Sequence, residues 1–260
     1  MFRPVFDNNM FRFLNENRLS EKGSKSKIFS LIENILKIRL VSFVLAIAET
    51  IIGIILTLPI PIYKGFIQIL INNLYGLPHL SGMYIRAIYY RRKLGSMEPN
   101  VFIDKNVTFA FPKNYHLQEF SYIDKNVLIM SKSFSVGRRT HICPNVFISG
   151  GGDFEIESYA CLCAGSIVLT STEVIKDGSR CCGPMVTPSQ RNVLRSKVKI
   201  SKDAFVGVSS TILPGVTIAE GSVIGAGTII TESTMPWSIN IANNKAKNLG
   251  LREKVIHKDD

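Results

Sequence analysis

Residues 198–231, VKISKDAFVGVSSTILPGVTIAEGSVIGAGTIIT, repeat with a period of six. A branched aliphatic residue returns at every sixth position, namely Ile200, Val206, Ile212, Ile218, Ile224 and Ile230. The fifth residue of each unit is small, namely Ala204, Ser210, Val216, Ser222 and Thr228. Neither the period of an α-helix nor that of a plain β-strand gives this spacing. The repeat therefore predicts a parallel β-helix, in which each unit forms a short strand and a tight turn, and three units close one triangular coil.

The same rhythm begins earlier in the chain. Residues 103–107 and 123–127 are near copies that read Ile-Asp-Lys-Asn-Val. The inward aliphatic positions then continue with Ile129, Val136, Ile142, Ile148, Ile156, Leu162 and Val168. We expect these side chains to stack inside the prism, with small residues at its corners. Glycines are expected where a corner needs a positive φ, at Gly207, Gly215, Gly221, Gly225 and Gly227.

Composition divides the chain into four parts. Residues 1–38 are polar and predicted to be partly flexible near 21–27, and residues 39–98 are predicted to be an apolar and basic helical region. The β-helix is expected over residues 99–235, and the tail over 236–260. Between 170 and 197 the repeat stops, so we expect a loop that leaves the prism and covers a cleft on its side.

The apolar segment at residues 40–63 is a membrane candidate. Glu49 interrupts it, and a carboxylate near the middle of a bilayer costs about 2.5–3.5 kcal/mol on insertion scales. A spanning helix, a helix in the membrane interface and a helix packed on the protein therefore all stay open. The stretch at 83–95 mixes aromatic residues with basic ones, as is typical beside anionic lipid. Its basic residues are Arg86, Arg91, Arg92 and Lys93.

The totals narrow the class of partner. A net charge of +11 favours phosphate-bearing ligands or an anionic membrane surface. Five cysteines without a secretory signal indicate reduced thiols in a cytoplasmic protein. They include no C-x-x-C pair, and the regular repeats hold one histidine where a β-helix zinc enzyme needs three, so we expect no metal. No P-loop and no nucleic-acid-binding module is recognisable.

Several segments resemble the hexapeptide-repeat acyltransferases, in the branch that acetylates sugars of surface polysaccharides. They are VGRRTHICPNVFISGGGDFEIESYACLCAGSIVL, GPMVTPSQRNV and VGVSSTILPGVTIAEGSVIGAGTIIT, and the resemblance covers about residues 100–250. It implies a left-handed β-helix and a homotrimer, with acetyl-CoA as co-substrate in the groove between neighbouring subunits. The acceptor would enter under the 170–197 loop.

Acyl transfer needs a base, and His141 is the residue expected to supply it. It precedes the inward Ile142 and should therefore point outward, and VGRRTHICPN resembles the stretch IGxNxHIAP of the family. A surface histidine that merely packs a corner is the alternative. Galactoside-type relatives carry their catalytic histidine where this chain has Glu173. This carboxylate could orient His141 or the acceptor, act as the base itself, or be an ordinary solvated residue.

The coenzyme contacts follow from the resemblance alone. Ala226 matches a position that contacts the pantetheine arm, and Thr231 matches a threonine that precedes a lysine in the family. Glu232 replaces that lysine here, so Lys247 and Arg252 are expected to contact the phosphates in its place.

The chain is therefore expected to be an acyl-CoA-dependent O-acetyltransferase, although the sequence leaves hydroxyl and amine acceptors open. Its acceptor would be a sugar, nucleotide sugar or lipid-linked glycan in the synthesis of surface polysaccharide, capsule or lipopolysaccharide. We expect it on the cytoplasmic side of the cell membrane or in the cytoplasm. The alternative is a non-catalytic trimeric scaffold for a glycan-assembly complex at the membrane.

Overall fold

The chain folds as N-terminal helices followed by a β-prism. The computed structural model describes residues 3–22, 24–59, 61–72, 79–176 and 178–241. Its helices are α1 (Asn8–Lys22), α2 (Lys27–Leu36), α3 (Arg39–Leu56), α4 (Pro61–Asn72) and α5 (His79–Lys93). Short 3-10 turns lie at Pro112–Asn114, Gly183–Met185 and Pro188–Gln190. Lys247 and Arg252 lie outside the described residues.

Short strands build three parallel sheets, which form the faces of the prism. Face A consists of β1 (Ser96–Met97), β4 (Tyr115–Leu117), β7 (Ser133–Val136), β10 (Asp153–Ile156), β15 (Val198–Ile200) and β18 (Thr217–Ile218). Face B consists of β2 (Phe102–Ile103), β5 (Tyr122–Ile123), β8 (His141–Ile142), β11 (Cys161–Leu162), β16 (Phe205–Val206), β19 (Val223–Ile224) and β21 (Ile239–Asn240). Face C consists of β3 (Thr108–Phe109), β6 (Leu128–Ile129), β9 (Phe147–Ser149), β12 (Ile167–Leu169), β17 (Thr211–Ile212) and β20 (Ile229–Ile230).

Each strand pairs in parallel with the strand one coil further on, as Ile123 pairs with Ile142 and Leu162 with Val206. The seven strands of face B mark about seven coils. The predicted mainly-β, parallel β-helix is therefore confirmed, and its handedness stays a prediction.

The core of the prism is a column of the predicted aliphatic residues. Every inward position expected from the six-residue period is buried, from Ile129 to Ile230. Full burial of such a side chain stabilises the fold by about 1.5–3 kcal/mol. A single coil cannot bury its own aliphatic side chains, so this stabilisation requires neighbouring coils to stack on it. Rings thicken the column behind face A, where Phe134 stacks on Phe154 at 5.7 Å.

Glycine occupies the positive-φ position at several corners of the later coils. Gly215, Gly221 and Gly227 have the predicted positive φ, of 86°, 64° and 66°. Gly207 does not, and there the prediction is wrong: a Cβ would lie 2.7 Å from the backbone nitrogen of Ala226, so lack of space requires the glycine. Gly225 likewise lacks a positive φ, and its Cβ would lie 2.7 Å from Cγ2 of Ile241.

Asparagine takes the positive-φ position in the earlier coils. Asn106, Asn126 and Asn145 have φ of 57°, 61° and 61°. Their side chains form a ladder, because Asn106 Nδ2 donates to Asn126 Oδ1 at 3.1 Å and Asn126 Nδ2 donates to Asn145 Oδ1 at 3.0 Å. Asparagine tolerates this conformation better than other non-glycine residues.

The N-terminal segment is largely helical where the structure describes it. Most of residues 3–36 are helical, and Ser26 caps α2 by accepting a hydrogen bond from the backbone N–H of Phe29. Phe6 packs on Phe102 of β2 with ring centroids 5.8 Å apart, so this segment is attached to the first coil of face B.

Helix α3 is long and apolar enough to cross a membrane by length and composition. One of its sides is nevertheless buried in the protein, at Ala46, Glu49 and Gly53. Glu49 accepts hydrogen bonds from the backbone N–H of Val5 at 2.7 Å and from the Tyr84 hydroxyl at 2.6 Å. The opposite side is exposed and apolar, at Leu40, Phe43, Val44, Ile47, Ile51, Ile54 and Ile55.

Arg86 corrects one expectation from the sequence. It does not face lipid, because it is buried beneath face B. Its Nε donates to the carbonyl of Ile103 at 2.8 Å, and Nη2 lies 3.4 Å from Asp104 Oδ1. Arg86 thus joins α5 to the prism.

The 170–197 segment leaves the prism after β12 on face C and returns at β15 on face A. Its arms form an antiparallel hairpin, β13 (Ser171–Glu173) and β14 (Val193–Arg195).

Candidate active site

His141 lies on the outer side of face B, as its place before an inward residue predicts. Strand β8 holds it between Tyr122 and Cys161 of the neighbouring coils. Its imidazole stacks on the Tyr122 ring with centroids 4.8 Å apart and an interplanar angle of 2°. This stacking fixes the orientation of the ring. The side chain is 41% exposed, so a substrate can still reach it.

Asp124 is the charged partner of this histidine. Its Oδ2 lies 3.4 Å from His141 Nε2. The tautomer with hydrogen on Nε2 lets Asp124 accept that proton's hydrogen bond and leaves the electron pair on Nδ1. Asp124 also stabilises the imidazolium that forms when the ring takes up a proton.

Asp104 holds Tyr122 in place against the imidazole. The Tyr122 hydroxyl donates to Asp104 Oδ2 at 3.3 Å. Burial raises the pKa of Tyr122, and the nearby carboxylates of Asp124 and Asp104 raise it further, so the phenol stays protonated. The ring is therefore a neutral platform for His141.

A cavity of about 700 Å³ opens beside His141. One wall is face B and its corner, including Phe102, Phe120 and Tyr122, and the other consists of side chains from α1, α2 and α5. Most of this lining is apolar. A substrate that reaches His141 from this side therefore meets a hydrophobic surface.

Three cysteines lie on the other side of the imidazole. Cys143 Sγ is 3.6 Å from His141 Nδ1 and 4.0 Å from Cys161 Sγ, and Cys161 Sγ is 3.9 Å from Cys163 Sγ. The Cys161 thiol donates a hydrogen bond to Cys143 and thereby lowers the pKa of Cys143. The same hydrogen bond raises the pKa of Cys161, and burial raises it further. Burial raises the pKa of Cys163 to about 11.

This arrangement has the dimensions of a site for a soft metal ion. In the described part of the chain, the candidate ligand atoms of His141, Cys143 and Cys161 lie within 4.8 Å of one another. A tetrahedral zinc ion with Zn–S near 2.3 Å and Zn–N near 2.0 Å separates its ligands by roughly 3.5–3.8 Å. The sequence predicts no metal here, because it does not show that the two coils bring H-x-C and C-x-C together.

Glu173 does not meet His141 within one chain. It lies on the β13–β14 hairpin, where its Oε1 is 3.4 Å from Arg191 Nη1. Its Oε2 is buried and has no hydrogen-bond partner among the described residues. The structure thus separates the two residues that the sequence assigns to catalysis.

The two described coenzyme candidates flank β20. Ala226 precedes this strand at the corner between faces B and C, and Thr231 follows it at the corner between faces C and A; both are exposed. Ala226 and Cys143 share the corner after face B, three coils apart. At about 4.8 Å per coil, Ala226 lies about 14 Å further along this edge than the His141 region.

Asp124 is the residue that sequence reasoning missed. The signal was present, because the near copies at 103–107 and 123–127 each carry an aspartate directly after the inward isoleucine. The coil length of 19 residues between Ile123 and Ile142 places Asp124 and Cys143 in the same outward row.

Residues 197–232 match the family model described as bacterial transferase hexapeptide, six repeats. This match covers the last coils of the prism, from β15 to β20. The chain is 29% identical over 116 residues to dTDP-4-amino-4,6-dideoxy-D-glucose acyltransferase of Escherichia coli, a match that covers 45% of this chain and 59% of that protein. It thus spans less than two thirds of this relative.

Solved structures of other proteins share part of this fold. A variant of AntD, an N-acyltransferase from Bacillus cereus, in complex with dTDP and coenzyme A, has a TM-score of 0.51 at 25% identity, over 55% of this chain and 76% of that chain. AntD with dTDP and 3-hydroxybutyryl-CoA has a TM-score of 0.56 at 24% identity, over 63% and 85%. At 24% identity, the likeness to the complex with 3-hydroxybutyryl-CoA shows the fold alone. These relatives are acyltransferases, and the two AntD complexes hold coenzyme A or an acyl-CoA.

Proposed function

We propose that this protein transfers an acyl group from an acyl-CoA to a hydroxyl or amine of a sugar. The observation that carries the proposal is His141, an outward imidazole held by Asp124 and Tyr122 on a hexapeptide-repeat β-helix. The E. coli relative, a sugar-nucleotide acyltransferase, supports the substrate class, and the complexes of AntD support coenzyme A as carrier.

The chemistry needs one proton to move twice. His141 Nδ1 takes the proton of the acceptor hydroxyl or amine while the oxygen or nitrogen attacks the thioester carbonyl carbon. Asp124 steadies the imidazolium, and the carbon–sulfur bond then breaks as the tetrahedral intermediate collapses. The thiolate of coenzyme A leaves and takes up the proton from His141. No covalent intermediate with the protein is required.

When the acceptor binds, it would replace the contact between the Cys143 thiol and His141 Nδ1. In the structure Nδ1 faces the Cys143 thiol at 3.6 Å, and a thiol is a weak hydrogen-bond donor. A sugar hydroxyl or amine makes a shorter and stronger hydrogen bond to this nitrogen. Exchange of the thiol for the acceptor is therefore expected to be easy.

We propose a homotrimer in which the coenzyme lies between neighbouring prisms. Ala226 and Thr231 are both exposed, as contact with a coenzyme between prisms requires. Glu173 meets no part of the His141 site in its own chain, so any role for it requires the hairpin of one subunit to reach the next. Lys247 and Arg252 remain candidates for the phosphates.

The donor is proposed to be acetyl-CoA, and the acceptor a sugar of surface polysaccharide, capsule or lipopolysaccharide. We further propose that the protein lies on the cytoplasmic side of the membrane, with α3 in the interface rather than across it. Glu49 supports this geometry, because its hydrogen bonds to Val5 and Tyr84 hold α3 along the protein. A helix that is attached at its middle and apolar on its outer side fits the interface of a bilayer.

Thiol release measures the reaction directly. Wild-type protein is mixed with acetyl-CoA and a panel of sugars and amino sugars, and free coenzyme A is followed. His141→Ala should lower turnover at least about 100-fold, since general-base catalysis contributes about that much. His116→Ala is the matched control, because His116 is exposed on face A and bonds to Ser96, and it should be unchanged.

The scaffold alternative gives a different result. A scaffold would show no rise in melting temperature at millimolar acetyl-CoA and no thiol release with any acceptor. Equal turnover by wild type and His141→Ala would remove His141 from the mechanism.

A further inference from the structure

The N-terminal helices build one wall of the cavity beside His141. Its helical side consists of Phe13 and Leu14 from α1, Phe29 from α2, and Leu80 and Met83 from α5. All five side chains are apolar. The volume of about 700 Å³ is within the range of about 300–1,000 Å³ that is typical of small-molecule sites.

This lining does not suit a sugar alone. A sugar buried here would leave several hydroxyls without hydrogen-bond partners, and burying an unpaired polar group is costly. A hydrocarbon chain has no such cost and removes apolar surface from water on both sides. The cavity therefore fits an aliphatic chain, with His141 at one edge of it.

A cation stands at the rim of the same cavity. The Arg139 guanidinium lies 5.1 Å from the centre of the Phe120 ring and 5.7 Å from that of Phe13, and the side chain is exposed. Its neighbour Arg138 pairs with Glu119 at 3.0 Å. No carboxylate of the described residues forms an ion pair with Arg139, so its charge is available for a phosphate.

The helices beside the cavity also carry exposed apolar side chains. Helix α2 turns Phe29 towards the cavity and exposes Ile28, Leu31 and Ile35 on other sides. Its successor α3 continues that surface with Leu40, Phe43 and Val44. A bilayer in contact with this surface would lie against α2, which also lines the cavity.

We propose that this cavity binds the hydrocarbon chain of a lipid-phosphate-linked sugar, with the phosphate at Arg139 and the sugar at His141. The inference rests on the proposed function for its chemistry and narrows the acceptor to an amphiphile. It assigns the N-terminal helices a direct role in substrate binding.

Calorimetric titration with farnesyl phosphate tests the binding without coenzyme A and without turnover. We expect farnesyl phosphate to bind at least about 100-fold more tightly than methyl phosphate, because each buried methylene favours the complex. Leu80→Trp and Leu14→Trp narrow the cavity from two helices, and each should weaken binding about tenfold or more. Leu194→Trp, on the exposed hairpin, is the matched control and should bind like the wild type.

Arg139→Asn tests the phosphate contact, since asparagine tolerates the positive φ of 55° at this position. It should weaken farnesyl phosphate about fivefold or more and leave farnesol unchanged. Circular dichroism melts show whether each variant is folded, and the two tryptophan variants provide independent routes to the same result.

Three results would overturn the inference. In the first, farnesyl phosphate binds no more tightly than methyl phosphate. In the second, farnesyl phosphate binds equally to the wild type and to both folded cavity variants. In the third, octanoyl-CoA binds more tightly than acetyl-CoA to the wild type and loses this advantage in Leu80→Trp, which would assign the cavity to the acyl chain of the donor. Thiol release with free sugars in any of these cases would leave the proposed function standing, whereas lipid binding without any response to acetyl-CoA would refute the proposed function alone.

Discussion

The Asp124–His141 pair determines how the site can act at the scale of single residues. Stacking on Tyr122 fixes the plane of the imidazole, and Asp124 fixes which nitrogen carries hydrogen. Neither contact blocks Nδ1 with a strong partner. The pair is therefore arranged for proton transfer, and Asp124 acts through His141 as a positioning residue.

Asp124→Asn tests that role. Loss of the negative charge destabilises the imidazolium, so the rate should fall about tenfold or more with little change in KM. Asp203→Asn, at an exposed corner, should keep the wild-type rate. A rate in Asp124→Asn equal to that of the wild type, or a loss that appears only as a higher KM, would contradict the assignment.

Zinc offers a second test at this scale. A Zn²⁺ ion bound to Cys143, Cys161 and His141 Nδ1 would occupy the electron pair that the base needs. We expect micromolar zinc to inhibit thiol release reversibly, and a chelator to restore it. Cys143→Ser should be at least about tenfold less sensitive, while Cys182→Ser, on the exposed part of the 170–197 segment, should match the wild type. Equal inhibition of both variants would exclude this cluster as the zinc site.

The phase of the repeat predicted His141 and little else of the site. Outward direction follows from the inward Ile142, so one residue could be placed without a structure. Asp124 and Cys161 come near His141 only because each coil has its own length, with extra residues in several coils. That spacing is a tertiary property that no single six-residue unit contains. The catalytic role of Glu173 stays a prediction.

At the scale of elements, α3 shows how one buried group positions a whole helix. Glu49 is 4% exposed and provides the only acidic side chain of α3, and both its oxygens accept hydrogen bonds. Burial raises its pKa, and this outweighs the opposing hydrogen bonds from Tyr84 and Val5 and the charge of Arg91. The apolar period predicted the helix, but only the structure shows which side faces the protein.

The raised pKa makes stability depend on pH. A carboxyl whose pKa rises on folding stabilises the fold below its unfolded pKa of about 4.3, and this contribution is lost as the pH rises through the folded pKa. Glu49→Gln removes the titration, so its melting temperature should gain on the wild type between pH 4 and pH 7. Glu49→Ala leaves Val5 and Tyr84 without their acceptor and should cost about 1–3 kcal/mol. A Glu49→Gln variant that loses stability relative to the wild type over this range would show that the carboxylate is the favoured form.

At the scale of the whole molecule, the β-prism carries His141 and the N-terminal helices line the cavity beside it. The period of six in the sequence was sufficient to predict the prism, since stacking of identical units leaves few alternatives. The helical region was left open between three arrangements because an apolar pattern is the same beside lipid and beside protein. It exposes many apolar side chains on α2 and α3, and contiguous apolar surface is typical of a site that contacts a partner.

Vesicle binding tests the membrane as that partner. We expect the protein to sediment with phosphatidylglycerol vesicles, and Ile51→Glu to reduce binding about fivefold or more because it places a charge in the apolar surface. Ile175→Glu, equally exposed but outside the helices, should bind like the wild type. Absence of vesicle binding, with a solution mass that falls in Ile51→Glu, would instead assign the surface to a second copy of the chain.

Transfer of a labelled acetyl group tests the central claim most directly. Membranes from cells that produce the protein are incubated with radiolabelled acetyl-CoA, and label in the glycan fraction is counted. The account predicts label with the wild type and with His116→Ala, and at least about 100-fold less with His141→Ala. Label that is equal with His141→Ala, or absent with the wild type, would contradict it.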